Sequence, residues 1–376
     1  MGVLTDALGA LPLVDGHCHA LAGEPSGVAH FATALTEADG FPPGVDPWDS
    51  SIGFAVRRWC APVLGLSAGA PPDEYLEART ALGSSEATRR LLRAARLSCL
   101  LVDTGLPGDA SEVAAAAGAS WREVVRLESL AERVVTAGTT AHGFAAAVVD
   151  QLAAASAHAV GVKSILAYRH GFDVDPARPP ARDVVRAAGE WLARRERDGA
   201  ARLDHPVLLR FLLWSGVDTG LPVQLHAGFG DRDVALPRAD PSLLQPFIVA
   251  AEPAGVPIVL LHCYPYHRQA GWLAQVYPHV FVDVGLTVGQ VGARADAVLA
   301  EFFDLAPFGK LLFSTDGCRL PELFHVGAAQ FRDSLRRLLA GWVDEGALPS
   351  TEADRVARMV GRENAARVYA LPEQGG

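Results

Sequence analysis

The chain has 376 residues, half of them hydrophobic and a fifth charged, an ordinary globular balance with ample material for a core. A net charge of −10 argues against a nucleic-acid or anionic-membrane partner, since either would be repelled over much of the surface. No basic region precedes the first apolar residues and no run reaches about 18 uncharged apolar residues, so the expectation is a soluble cytoplasmic protein with no signal peptide or membrane span.

The first apolar run, "LPLVDGHCHA" (11–20), reads as a buried strand ending in H-x-H. A period of two puts His17 and His19 on one face and turns Cys18 away. Alone, the pair is a weak signal. Residues 20 to about 95 are first rich in Gly, Pro and Asp and then break into short helical pieces. Inserted after a first strand, they are expected to form a helical lid over a barrel mouth; a separate domain is the competing view, with a thin core.

Further strands are expected at 97–103, 124–129, 160–166, 222–227, 257–263, 280–285 and 310–316, with alanine- and leucine-rich helical stretches such as 143–159, 241–255, 268–278 and 295–306 between them. Long helices at 324–346 and 351–371 close the chain. Eight apolar strands alternating with helices predict an α/β fold, a (β/α)8 TIM-like barrel, with residues 1–376 as one domain. An open doubly wound sheet is the alternative, though no G-x-G-x-x-G follows any strand. The five cysteines are scattered without a C-x-x-C, which fits a reduced compartment.

The polar outliers fall at or near the C-terminal ends of these strands: His17 and His19 on the first, Glu128 on the third, Lys163 on the fourth, His226 on the fifth, His262 on the sixth and Asp316 on the eighth. In a barrel those ends converge on one face, where this fold places its chemistry. Singly, each histidine reads as a hydrogen-bonded core residue and Asp316 as a turn or cap. Jointly, four imidazoles and a carboxylate suit Zn2+ first, with Mn2+ or Fe2+ as alternatives. Lys163 and Lys310 are the only lysines. An ammonium buried at Lys163 is costly, and a metal beside it would lower its pKa further. The neutral amine could then take up CO2 as a carbamate, an oxygen ligand able to bridge two ions. An ordinary lysine paired with Glu128, or one binding an anionic substrate, is the other reading.

The order H-x-H, Lys, His, His, Asp on strands one, four, five, six and eight resembles the amidohydrolase superfamily. The stretches "VQLHAGFGDRDVALPRADPSLLQPFI", "VLLHCYPYHRQAGWLAQVYPHVFVDVG" and "LLFSTDG" are similar to the amidohydrolase-type domain of FluG-like proteins, as are "VKSILAYRHGFDV", "VVRLESLAE" and "GRENAARVYAL". The resemblance implies a metal-dependent hydrolase acting on a C–N bond of a small molecule. His17, His19 and Asp316 would surround one metal, and carbamylated Lys163 would bridge to a second held by His226 and His262. With one ion, His226 joins the first set and His262 polarises the substrate carbonyl. Asp316 handles the proton. Glu128, Tyr168, Arg169, Asp231 and Arg232 are expected substrate contacts, with salt bridging and helix capping as their alternative roles. A metal-dependent decarboxylase and a non-catalytic ligand sensor are the rival functions, and a homo-oligomer is left open.

Overall fold

The computed structural model describes residues 11–21, 28–199 and 202–372. Two compact units are distinguished: the residues up to Arg122 together with those from Asp283 onward, and Glu123–Val282. The eight strands are β1 (Leu13–Cys18), β2 (Leu97–Asp103), β3 (Ser120–Arg126), β4 (Gly161–Ser164), β5 (Val223–Ala227), β6 (Ile258–His262), β7 (Val280–Asp283) and β8 (Leu311–Leu312). Their order in the sheet is their order in sequence. The pairs β1–β2, β3–β4, β4–β5, β5–β6 and β6–β7 are parallel. Backbone bonds from Gly16 to Phe313 (2.9 Å), from Asp316 to His17 (3.0 Å) and from His19 to Gly317 (2.8 Å) join the segment after β8 to β1. This is the expected (β/α)8 arrangement. Every residue of β1, β4, β5 and β6 is buried, as strands covered on both faces require.

Three boundaries differ from expectation. β3 ends at Arg126 and a helix runs from Leu127 to Thr136, so Glu128 belongs to the first turn of that helix and not to a strand. Leu127, Leu130, Ala131 and Val134 are buried at helical spacing, and that pattern prevails over the β-branched pair before it. β8 is two residues long, and the chain beyond it is held to β1 by the bonds above. The last expected helix is interrupted: Ser350–Arg358 and Asn364–Val368 flank a π-turn, Met359–Glu363.

Between β1 and β2 lie the helices Val28–Ala34, Ser51–Val63, Pro72–Leu82 and Ser84–Ala95. Their apolar residues do not close on themselves. Phe31, Trp48, Ile52, Val56, Tyr75 and Leu91 share one core with Leu320 and Val326, the latter on the helix Pro321–Asp344. A buried polar link fixes the same junction: Glu322 Oε1 accepts from Tyr75 Oη (2.9 Å) and Arg79 Nε (2.7 Å). Replacing Glu322 by alanine would leave the Arg79 guanidinium buried without its carboxylate. We expect Glu322→Ala to cost about 3–5 kcal/mol, read as a lower denaturation midpoint, and Glu322→Gln to cost less.

Candidate metal centre

β1 carries Asp15, His17 and His19 toward the loop after β8. His17 Nε2 lies 3.2 Å and His19 Nε2 3.5 Å from the same oxygen, Asp316 Oδ1, with all three side chains largely buried. The two imidazoles stand edge to face, 5.0 Å between centroids. His19 Nδ1 lies 3.3 Å from the carbonyl oxygen of Asp103. A carbonyl only accepts, so the hydrogen of that bond sits on Nδ1, which directs Nε2 at the carboxylate. In the neutral tautomer Nε2 offers a lone pair to a cation there, and a second imidazole at the same oxygen adds a donor. The donor set therefore fits a divalent metal ion, and the Asp103 carbonyl orients the ring as metal sites commonly do.

The supporting bonds explain why this loop holds its shape. Asp15 Oδ1 accepts from Thr315 N (2.9 Å) and Asp15 Oδ2 from Thr315 Oγ1 (2.5 Å). Burial pushes the Asp15 carboxyl up to about 8, against the lowering effect of those bonds. Asp283 Oδ1 accepts from Ser314 Oγ and Gly285 N, both at 2.7 Å. Asp316 has a left-handed φ of 52°, a strained position worth about 1–3 kcal/mol that such bracing sustains.

In the second unit, the His226 and His262 rings lie 4.5 Å apart and Tyr168 packs 4.4 Å from His226. Register alone would not bring the histidines together: His226 pairs with Leu261, and His262 with Ala227. Registered partners project to one face, so a regular β6 would turn His262 away from His226. His262 departs from that regular pattern, with a φ of 66°. Gly230 is needed here. A Cβ on it would lie 2.2 Å from Tyr168 Oη and 2.9 Å from His226 Nε2. The tyrosine tip can swing, so Gly230→Ala is expected to leave the melting temperature nearly unchanged while lowering kcat/KM through a displaced Tyr168 and His226.

Lys163 is buried in β4, registered with Arg126 of β3 and Gln224 of β5. Glu128 is fully buried, and its Oε1 accepts from Ser164 Oγ (2.6 Å) and Ile165 N (3.1 Å). Burial raises its carboxyl above the usual range. Glu128 thus ties the β4 end to the helix Leu127–Thr136. Arg169 pairs with Glu132 at 3.2 Å, and burial lowers its guanidinium. Asp231 Oδ1 accepts from Asp233 N (2.9 Å), a turn cap, and Arg232 is exposed. Of these, Arg169 makes the salt bridge weighed as its alternative role, whereas Glu128 braces strand and helix and Asp231 caps a turn. Tyr168 packs against His226, an expected metal ligand.

Asp103 escaped the sequence reading although it ends β2 in the same way as the other outliers. Its Oδ1 accepts from Gly105 N (2.8 Å), and donor atoms of His17, His19 and Asp103 lie within 4.8 Å of one another. His267 and His325 lie on helices and, like His279, are buried; His279 Nε2 and His325 Nε2 each meet a backbone carbonyl. Cys18 and Cys263 are buried packing residues, as alternation suggests.

The strand order and the histidine–carboxylate set at the end of β1 define the class of (β/α)8 proteins built around a divalent metal. The amidohydrolase family model matches residues 14–371, and the chain belongs to that family. Protein fluG of Emericella nidulans is 34% identical over 255 residues, 61% of this chain and 28% of that protein. The match therefore spans under a third of that relative's length. A Lactobacillus casei protein assigned, without a stated reaction, as a metal-dependent hydrolase superposes with a TM-score of 0.85 at 26% identity, covering 98% of this chain and 97% of the other. The uronate isomerase of Thermotoga maritima superposes with a TM-score of 0.64 at 16% identity over 98% and 96% of the chains, a likeness of fold. No helix among the described residues is long and apolar enough to cross a membrane.

Proposed function

We propose that this amidohydrolase is a hydrolase that cleaves a C–N bond of a small molecule with a metal-activated water. The observation that carries the reading is the convergence of His17 Nε2 and His19 Nε2 on Asp316 Oδ1. His17, His19 and Asp316 would hold one ion, and His226 and His262, with a carbamate on Lys163, would hold another. Zn2+ suits this imidazole-rich set best, with Mn2+ and Fe2+ next. A divalent ion there supplies Lewis-acid activation of water at neutral pH.

The chain's own residues do the rest. The His19 tautomer, set by the Asp103 carbonyl, keeps Nε2 available as a donor atom. Asp316 takes a proton from the attacking water at a carboxylate oxygen and passes it to the departing nitrogen. A C–O bond forms, the C–N bond breaks, and a carboxylate and an amine leave. Arg126 is the register partner of Lys163, so a neutral amine or its anionic carbamate suits that neighbour better than a second buried cation.

The test is a screen of small amides with the metal-loaded protein, assaying amine and CO2 in parallel. Amine release that is lost in His17→Ala supports the reading. CO2 without amine would replace it by a decarboxylase.

A further inference from the structure

Asp103 ends β2 and is fully buried. Cys18 is the register partner of Val102, so one step further along the two strands His19 comes beside Asp103. The 3.3 Å approach of His19 Nδ1 to the Asp103 carbonyl bears this out. Donor atoms of His17, His19 and Asp103 lie within 4.8 Å of one another, and all three residues are buried. They belong to one compact unit, the one that also holds Asp316.

Two of the tasks that Asp103 performs do not call for a carboxylate. The carbonyl that meets His19 Nδ1 is main chain, which any residue would offer. The bond from Gly105 N to Oδ1 (2.8 Å) closes a turn of the kind that asparagine makes as well. What aspartate adds is negative charge at a buried position. Buried charge is costly unless it is paired or coordinates a metal, and here it stands beside the two imidazoles that also meet Asp316 Oδ1. A divalent ion on His17, His19 and Asp316 alone would keep a net positive charge, since imidazole binds metal in its neutral form and Asp316 brings one negative charge. A second carboxylate neutralises it. That carboxylate also brings the donors to two nitrogens and two oxygens, a set that Zn2+ accepts.

We propose that Asp103 is a further ligand of the metal centre, a reading that rests on the site at His17, His19 and Asp316 and extends its donor set onto β2. The Asp103 carboxylate binds the ion, while the main-chain carbonyl of the same residue holds the His19 ring in place.

Zn2+ titrated into the chelator-stripped protein, in competition with a chromophoric chelator, reads the affinity. Asp103→Asn keeps the main-chain carbonyl and an oxygen for Gly105 N, so it should fold; it is expected to bind Zn2+ about tenfold or more weakly than the wild type. Asp103→Cys loaded with Co2+ separates a ligand from a support of His19. A thiolate on the ion gives near-ultraviolet charge-transfer absorption, expected in this variant and not in the wild type. Unchanged Zn2+ affinity in Asp103→Asn, or no such absorption in Co2+-loaded Asp103→Cys, would each overturn the proposal while leaving the centre at His17, His19 and Asp316 standing. Zn2+ binding that is absent from the wild type, or that survives undiminished in His17→Ala, would overturn that centre and the proposal with it.

Discussion

Asp316→Asn is expected to lower kcat by about 10³-fold or more, because on the proposed mechanism one change removes both a metal ligand and the proton carrier. Asparagine keeps the shape and the left-handed backbone of Asp316, a conformation that it tolerates as well as aspartate does. Its amide can donate to the lone pair of His19 Nε2, the atom that now faces Asp316 Oδ1 at 3.5 Å. The apo variant should therefore melt within a few degrees of the wild type while failing to retain metal. Calorimetry and metal analysis on the same preparation separate the two effects. Wild-type activity in Asp316→Asn would remove Asp316 from the chemistry.

Lys163→Ala is the second large effect. The side chain is buried in β4 beside Val162 and Ser164, both buried as well, so truncation leaves a cavity and costs some stability. The diagnostic outcome is chemical. If the amine carries a carbamate, the variant loses activity and one equivalent of metal, and a short carboxylic acid such as propionate restores part of both by filling the cavity with an oxygen donor. Lys163→Arg, which cannot form the carbamate, should not be rescued. Full activity with unchanged metal content would return Lys163 to an ordinary buried lysine.

The strand array was legible because covered parallel strands are continuous apolar runs, and β2, β5 and β6 fall within a residue or two of their expected bounds. His17 and His19 were legible from their spacing: although the pairing of β1 with β2 shifts register between Asp15 and Cys18, both Nε2 atoms still meet Asp316 Oδ1. His262 is a different case. It carries a positive φ, and no periodicity encodes one at a histidine. Glu128 was misplaced because a helical pattern starts one residue after β3 ends. Burial of His267, His279 and His325 depends on partners distant in sequence, such as the Trp59 carbonyl for His325, which no local pattern displays. Asp103 could have been found: it ends a strand in the same manner as the ligands that were chosen. The helices between β1 and β2 share a core with the helix Pro321–Asp344 through contacts across more than two hundred residues, beyond the reach of local pattern.

The claim on which the account stands is that His17, His19 and Asp316 together retain a divalent ion. Metal content per chain, measured after expression with Zn2+ and Mn2+ for the wild type and for His17→Ala, tests it most directly. The account predicts about one equivalent or more in the wild type and a clear loss in the variant. Less than ~0.5 equivalent in the wild type, or the same content in both proteins, would contradict it.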